Sequence, residues 1–522
     1  MGCAASNPAT HDTEGRGRPQ RPQAQAGDEP TALAHGLNKY VEVEALLELL
    51  AEEDIVLVWA SSLMRLAKSG GRFLRRQDLP AGAAVDQASL KRLAGEIKAW
   101  SKVLAANKDK PHLQYAMRFP PFVIVSYAWL DKEHPDADGR QLCEVLAPAL
   151  HFYMAERARL IHKNDEYRSD AGDTMIAPTG ADFAVFVDYS SLWQKERTDD
   201  QSLSFSRGLQ RMDLLYAHQQ TVIFRMTKLL EGYDGVLPYD SRGWPFFETA
   251  VSQLIKPAHL CLDLGSPAAV QVFARFKELP ALAEHATPEL DPEVERKLAA
   301  QGDYTHAFAP GAFQSFKGAR DPPLSPDEFT SRAAAKTVTN GKDKATLVEL
   351  QAKVTSAVLG NVLELNYLDL GWKAAEMAVL AGALPMCAKL RSLDLRQNPL
   401  GEGLALLGPE LGKLPKLMTL SLQDCGLGPG SARAVAAFCA VSASLTSLSV
   451  AGNGIVGDGA QQLASTVLAK PTLEHFSGIP LKELRADSLT TLDLSYKGLG
   501  VPEAIVLADL LRSVSTSLTN LS

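Results

Sequence analysis

Two hydrophobic periods alternate between residues 121 and 265. "PFVIVSYAW" (121–129) is an unbroken apolar run rich in β-branched residues, which predicts a strand covered on both faces. "GRQLCEVLAPALHFYMAERARLI" (139–161) has helical spacing, and "ADFAVFVDYSSL" (181–192) predicts a second buried strand ending in Asp188. A helix over 203–218 follows, then a third strand in "QTVIFRM" (220–226). A helix opens in "WPFFETAVSQLIK" (244–256), and "AHLCLDLG" (258–265) predicts a fourth strand. Strands alternating with helices predict a mostly parallel sheet covered on both sides. Upstream, residues 38–67 and 87–105 carry helical spacing of Leu, Val and Trp, and predict a helical prefix over 36–110.

A longer period governs residues 362–522. "LRSLDLRQNPL" begins at Leu390, "LMTLSLQDCGL" at Leu417, "LTSLSVAGNGI" at Leu445 and "LTTLDLSYKGL" at Leu489. The first three begin 27 and 28 residues apart, the spacing of leucine-rich repeats of a strand and a helix each. Asn398, Cys425 and Asn453 share the position whose side chain caps turn backbone groups. "YLDLGWKAAE" (367–376) reads as a degenerate first repeat and "LEHFSGIPLKEL" (473–484) as a distorted one. The expectation is an α/β solenoid over 346–522, and these repeats resemble the ribonuclease-inhibitor type. It stops at "LTNLS", where a further repeat should begin, so truncation is expected.

If the sheet of 111–345 follows a flavodoxin-like order of 2-1-3-4-5, ligands bind beyond the carboxyl ends of its strands, where strands one and three diverge. That rule gathers three remote segments: Ser126, Tyr127 and Trp129 after strand one, Asp188 after strand two, and Trp244 to Glu248 after strand three. The plainer roles differ. In "SRGWPFFETAV" (241–251), Pro245 suits the first position of a helix. Glu248 then falls in the first turn, where the macrodipole favours negative charge. Trp244 would be a core anchor, and Asp188 would start a turn through its side chain.

Composition narrows the setting. Of 522 residues 46% are hydrophobic and 22% charged, a globular balance in a chain long enough for several domains. A net charge of −8 offers no electrostatic footprint for nucleic acid. The six Cys are scattered without a CxxC pair, which reads as free thiols in a reducing compartment. No HExxH, paired Cys/His set or acidic calcium loop is present, so no metal is expected. "TNGKDKATL" (339–347) lacks the glycine and hydroxyl of a phosphate loop, and residues 266–345 read as an extension of the α/β domain plus a linker. "MGCAAS" fits N-myristoylation at Gly2, and Cys3 supplies a palmitoylation site. One acyl chain binds membranes marginally and two hold, so residues 1–35 read as a flexible, lipid-anchored tether at the cytoplasmic face of a membrane.

"FVIVSYAWLD", "VFVDYSSLWQKERT" and "SRGWPFFETAV", in that order, resemble three stretches of the Toll/interleukin-1 receptor-like (TIR) domain. These are its first strand with a Ser-aromatic end, its second strand with Asp leading into a loop, and the box in which Ser, Trp and Glu open a later helix. The α/β region as a whole resembles TIR-like domains found with leucine-rich repeats in algal and other protist proteins, and "SYAWLDKEHPDADGRQL" (126–142), with "RRQDLP" (75–80) upstream, also resembles a group of algal proteins. In enzymatic TIR members the Glu of that box is needed to cleave NAD at the nicotinamide–ribose bond. The resemblance therefore implies a catalytic role for Glu248, with Ser126, Tyr127, Trp129, Asp188 and Trp244 around the substrate. It requires no cofactor; NAD enters as the substrate.

Three functions follow. The chain is a membrane-anchored signalling or immune-type protein whose repeats bind a protein partner and whose TIR-like domain self-associates, or that domain is an NAD-cleaving hydrolase acting through Glu248, or the whole is a non-enzymatic membrane scaffold.

Overall fold

A computed structural model describes residues 37–106, 119–162, 178–233, 235–282, 292–301, 320–338, 340–341, 343–513 and 517–522. The lipidation signal at Gly2 and Cys3 and the tether lie outside the described residues.

The prefix departs from an all-helical reading. Its apolar run divides into α1 (Val43–Ala51), β1 (Val58–Trp59) and α2 (Ala60–Lys68). Glu53 takes a φ of +57°, which ends the helix. The β-branched run Ile55 to Trp59 then suits extended backbone. Val58 and Trp59 pair antiparallel with Val185 and Ala184, so the prefix supplies an edge strand to the next sheet. Helix α3 (Gln87–Ala106) forms as its spacing predicts.

The strands and helices of 121–265 are β2 (Phe122–Tyr127), α4 (Ala147–His162), β3 (Ala184–Phe186), α5 (Asp199–Arg211), β4 (Val222–Met226), α6 (Gly243–Ser252) and β5 (Cys261–Asp263). The sheet order is β1-β3-β2-β4-β5, and β2 to β5 are parallel. Every residue of β2, β3 and β4 is buried. Alternate side chains feed opposite cores, as the pleat demands: Phe122 and Ile124 enter one, Val123 and Val125 the other. Strand β3 is shorter than expected, because Asp188 opens a helical turn, Asp188–Ser191.

The first core runs on from Phe247 on α6 through Phe329 and Val354 to Trp372 and Leu393 of the repeats. Its bridge is α7 (Asp343–Leu359), a single helix crossing the expected boundary at residue 345. Buried Arg320 adds a polar stitch. Its guanidinium donates to the carbonyls of Gln253 (3.1 Å), Leu254 (3.3 Å) and Asn366 (2.7 Å), while Trp372 Nε1 donates to the Arg320 carbonyl at 2.6 Å.

In the repeats, β6 (Glu364–Asn366), β7 (Ser392–Asp394), β8 (Thr419–Ser421), β9 (Ser447–Ser449) and β10 (His475–Phe476) form consecutive parallel neighbours of one sheet. Helices α8 (Ala374–Ala383), α9 (Pro429–Val441) and α10 (Gly457–Ala469) follow β6, β8 and β9. Buried Asn398 accepts from the N–H groups of Leu370 (2.9 Å) and Trp372 (3.1 Å) and donates to the carbonyls of Tyr367, Leu395 and Arg396. Asn453 repeats the pattern one repeat on, accepting from Cys425 and Leu427 and donating to Leu422, Val450 and Ala451.

The distorted repeat ends this ladder. Ser477 and Gly478 both take positive φ, the requirement of a tight hairpin turn. They fold β11 (Ile479–Pro480) back antiparallel on β10, occupying its open edge. The "LTTLDL" strand, β12 (Thr491–Leu492), therefore pairs instead with β13 (Asn520–Leu521) in a separate two-stranded sheet. Among the described residues no helix is long and apolar enough to cross a membrane.

Candidate functional site

Helix α6 does not start where Pro245 suggested. Arg242 is its N-cap, in extended backbone, so Gly243 is the first helical residue and Pro245 the third. The cause lies in a remote segment. Gly243 donates its N–H to the Thr337 carbonyl, and Thr337 donates to the Ser241 carbonyl, both at 2.8 Å, which holds the chain extended up to the helix. A Cβ on Gly243 would come within 2.5 Å of Val338 Cγ1 and 2.9 Å of Leu347 Cδ1, so any other residue here would push both side chains aside. Glu248 consequently sits in the second turn, away from the free N–H groups, and the helix-starter reading fails on geometry.

What holds Glu248 instead is β2. Glu248 as a residue is only 6% exposed, and the Ser126 hydroxyl donates to its Oε2 at 2.5 Å. Ser126 Oγ also lies 2.6 Å from the Tyr239 hydroxyl, which is 3.1 Å from Thr249 Oγ1. Burial pushes the Glu248 carboxyl up to about 8; hydrogen bonds from Ser126 and Tyr216 pull against that rise, and the neighbouring Asp188 charge reinforces it. At neutral pH the free protein therefore holds Glu248 mostly protonated.

Asp188 starts a turn and does more. It accepts from the N–H of Tyr189 at 2.6 Å, and also from the Tyr127 hydroxyl (2.5 Å) and Trp129 Nε1 (3.0 Å). One carboxylate thus fixes the orientation of both aromatics that follow β2, and burial raises its pKa against those bonds. Trp244 packs edge-on to Phe247 and donates through Nε1 to Asp343 Oδ2 at 3.3 Å, so it is a partial anchor at a cavity wall.

These groups surround one cavity of about 440 Å³, within the range of small-molecule sites. Tyr127, Trp129, Asp188, Trp244 and Glu248 all line it, and Ser126 stands behind Glu248. Three further parts escaped the sequence reading. Tyr239 and Tyr216 complete the polar surroundings of Glu248. Thr337, Val338 and Asp343, read as linker, form a wall. Lys195, Arg197 and Arg242 add positive charge. The linker had a visible signal in "SPDE" (325–328), a Ser N-cap before Pro and two acids, and the helix Pro326–Ala334 begins there. Nothing comparable marked Tyr216 or Tyr239. Among the described residues no three His, Cys, Asp or Glu side chains converge to hold a metal ion.

A leucine-rich-repeat family model matches residues 441–464, the stretch that holds β9, Asn453 and the first half of α10. A repeat of this kind points to protein–protein interaction. No curated protein matches the chain.

Proposed function

We propose that this chain is a signalling protein whose repeats bind a protein partner and whose TIR-like α/β domain cleaves NAD through Glu248. The observation that carries the reading is the placement of a buried, raised-pKa carboxyl in a cavity that the ends of β2 and β3 also line. The strand order supports a flavodoxin-like sheet with its ligand beyond the carboxyl ends. Acyl chains on Gly2 and Cys3 hold the protein to the cytoplasmic face of a membrane, and clustering there favours self-association of the TIR-like domains.

The chemistry asks little of an acid. When the bond between ribose C1′ and the pyridinium nitrogen breaks, the electron pair leaves with nitrogen and nicotinamide departs neutral. The deficit falls on the ribose as an oxocarbenium-like charge, which the ionised Glu248 would stabilise. Water then adds to C1′ and loses a proton. Trp129, held by Asp188 and partly exposed, is the aromatic that would stack on the leaving ring, with Tyr127 packed beside it. The test is nicotinamide release by the full chain on lipid vesicles beside Glu248→Ala. The parent should release it and the variant should fall by at least about a hundredfold. Two folded proteins that leave NAD intact would move the reading to a non-enzymatic scaffold.

A further inference from the structure

The cavity's cations are not paired with its acids. Lys132, Lys195, Arg197 and Arg242 line it, and among the described residues none of them has a carboxylate partner. Arg197 lies 3.7 Å over the Phe205 ring. Arg242 spends one donor, Nε, on the Leu237 carbonyl (3.0 Å) and leaves its two terminal nitrogens unassigned. Both guanidiniums are partly buried, and loss of hydration lowers their proton affinity, as it does for cations awaiting a counter-charge. The acids are otherwise engaged: Asp188 by Tyr127 and Trp129, Glu248 by Ser126, Asp343 by Trp244. Glu133 is exposed.

We infer that Arg197 and Arg242 form an anion subsite that selects a ligand carrying phosphate beside a stacking ring, a nucleoside diphosphate in chemical class. Guanidinium forks match phosphate oxygens in pairs, and a phosphate entering here supplies the missing counter-charge without displacing any bond now made. The inference rests on the same cavity as the hydrolase reading. It assigns specificity to residues away from the reacting bond, so a dephosphorylated substrate such as nicotinamide riboside should be handled poorly although its scissile bond is the same.

The probe is ADP-ribose, titrated calorimetrically into the full chain, with adenosine as the comparison. The parent should bind ADP-ribose, more weakly as salt rises, and adenosine at least about a hundredfold more weakly. Arg197→Gln and the double variant with Arg242→Gln should lose about tenfold or more in ADP-ribose affinity. Arg197→Gln alters a half-exposed side chain, so it serves as the variant least able to disturb the fold. With NAD as substrate, the same changes should raise KM and leave kcat within about threefold. Absence of ADP-ribose binding, equal affinity for adenosine, or a double variant that binds like the parent would overturn the subsite. ADP-ribose bound while NAD stays intact would overturn the hydrolase reading alone. NAD cleaved with an unchanged KM in both variants would overturn the subsite alone.

Discussion

Glu248→Gln should make the protein more stable at pH 7 to 8 even as it removes NAD cleavage. In the unfolded chain this carboxyl ionises near 4.5, and in the folded protein near 8. Between those values the unfolded state gives up a proton that the folded state keeps, so stability falls as pH rises from about 4.5 to about 8. At pH 7 the difference amounts to about 3 kcal/mol in favour of the neutral amide. Gln keeps an acceptor for the Ser126 hydroxyl and adds no charge. Thermal melts should then show the variant several degrees above the parent at pH 8, with the two converging near pH 4. Equal melting temperatures across that window would mean that the carboxyl is not held protonated, and the cavity would lose its central feature. A destabilising acid retained in a ligand-sized cavity is the pattern of a site kept for chemistry.

Asn398→Ala should destabilise the protein by about 3–5 kcal/mol. The side chain is fully buried, and its removal strands the N–H groups of Leu370 and Trp372 and the carbonyl of Tyr367, while the carbonyls of Leu395 and Arg396 are left with the Cys425 thiol and the Asp369 N–H. A methyl group answers none of them, and water has no easy route to replace the amide. The damage should spread toward the α/β sheet, because Trp372 is bonded to Arg320, which ties α6's carboxyl end to β6. Cys425 occupies the same position of the next repeat but offers only longer thiol contacts, to Leu395 (3.2 Å) and Gln423 (3.4 Å). Cys425→Ala should therefore cost about 1 kcal/mol. Urea denaturation of the two variants reads the contrast. Equal losses would remove the asparagine ladder as the main polar support of the repeats.

Much of this was legible because one residue type and one period carry it. The unbroken apolar runs gave β2 and β4 to within two residues, and Asn398 and Asn453 announced the turns they cap. The carboxyl-end rule gathered Ser126, Tyr127, Trp129, Asp188, Trp244 and Glu248 before any geometry was known, and the structure brings them together around one cavity. The failures are tertiary. The position of Pro245 could not reveal that Thr337 pairs beside Gly243 and resets the first turn of α6. The apolar content of residues 55–59 was read as helix, because the edge of β3 that draws it into extended backbone lies more than a hundred residues away. Arg197 reaches the cavity, and Tyr239 and Tyr216 reach the Glu248 carboxyl and its Ser126 partner, through tertiary packing that no local pattern announces.

The central claim is that Glu248 acts as an ionised carboxyl on a substrate in this cavity. The measurement that tests it most directly is the pH profile of kcat/KM for nicotinamide release by the full chain, beside Glu248→Gln. Since kcat/KM reports the free protein, activity should climb with pH and level off above about 8, while kcat, measured with the cationic nicotinamide ring bound beside the carboxyl, should climb at lower pH. Glu248→Gln should stay near background throughout. A parent that leaves NAD intact from pH 5 to 9, or a variant that releases nicotinamide with the parent's profile, would contradict the account.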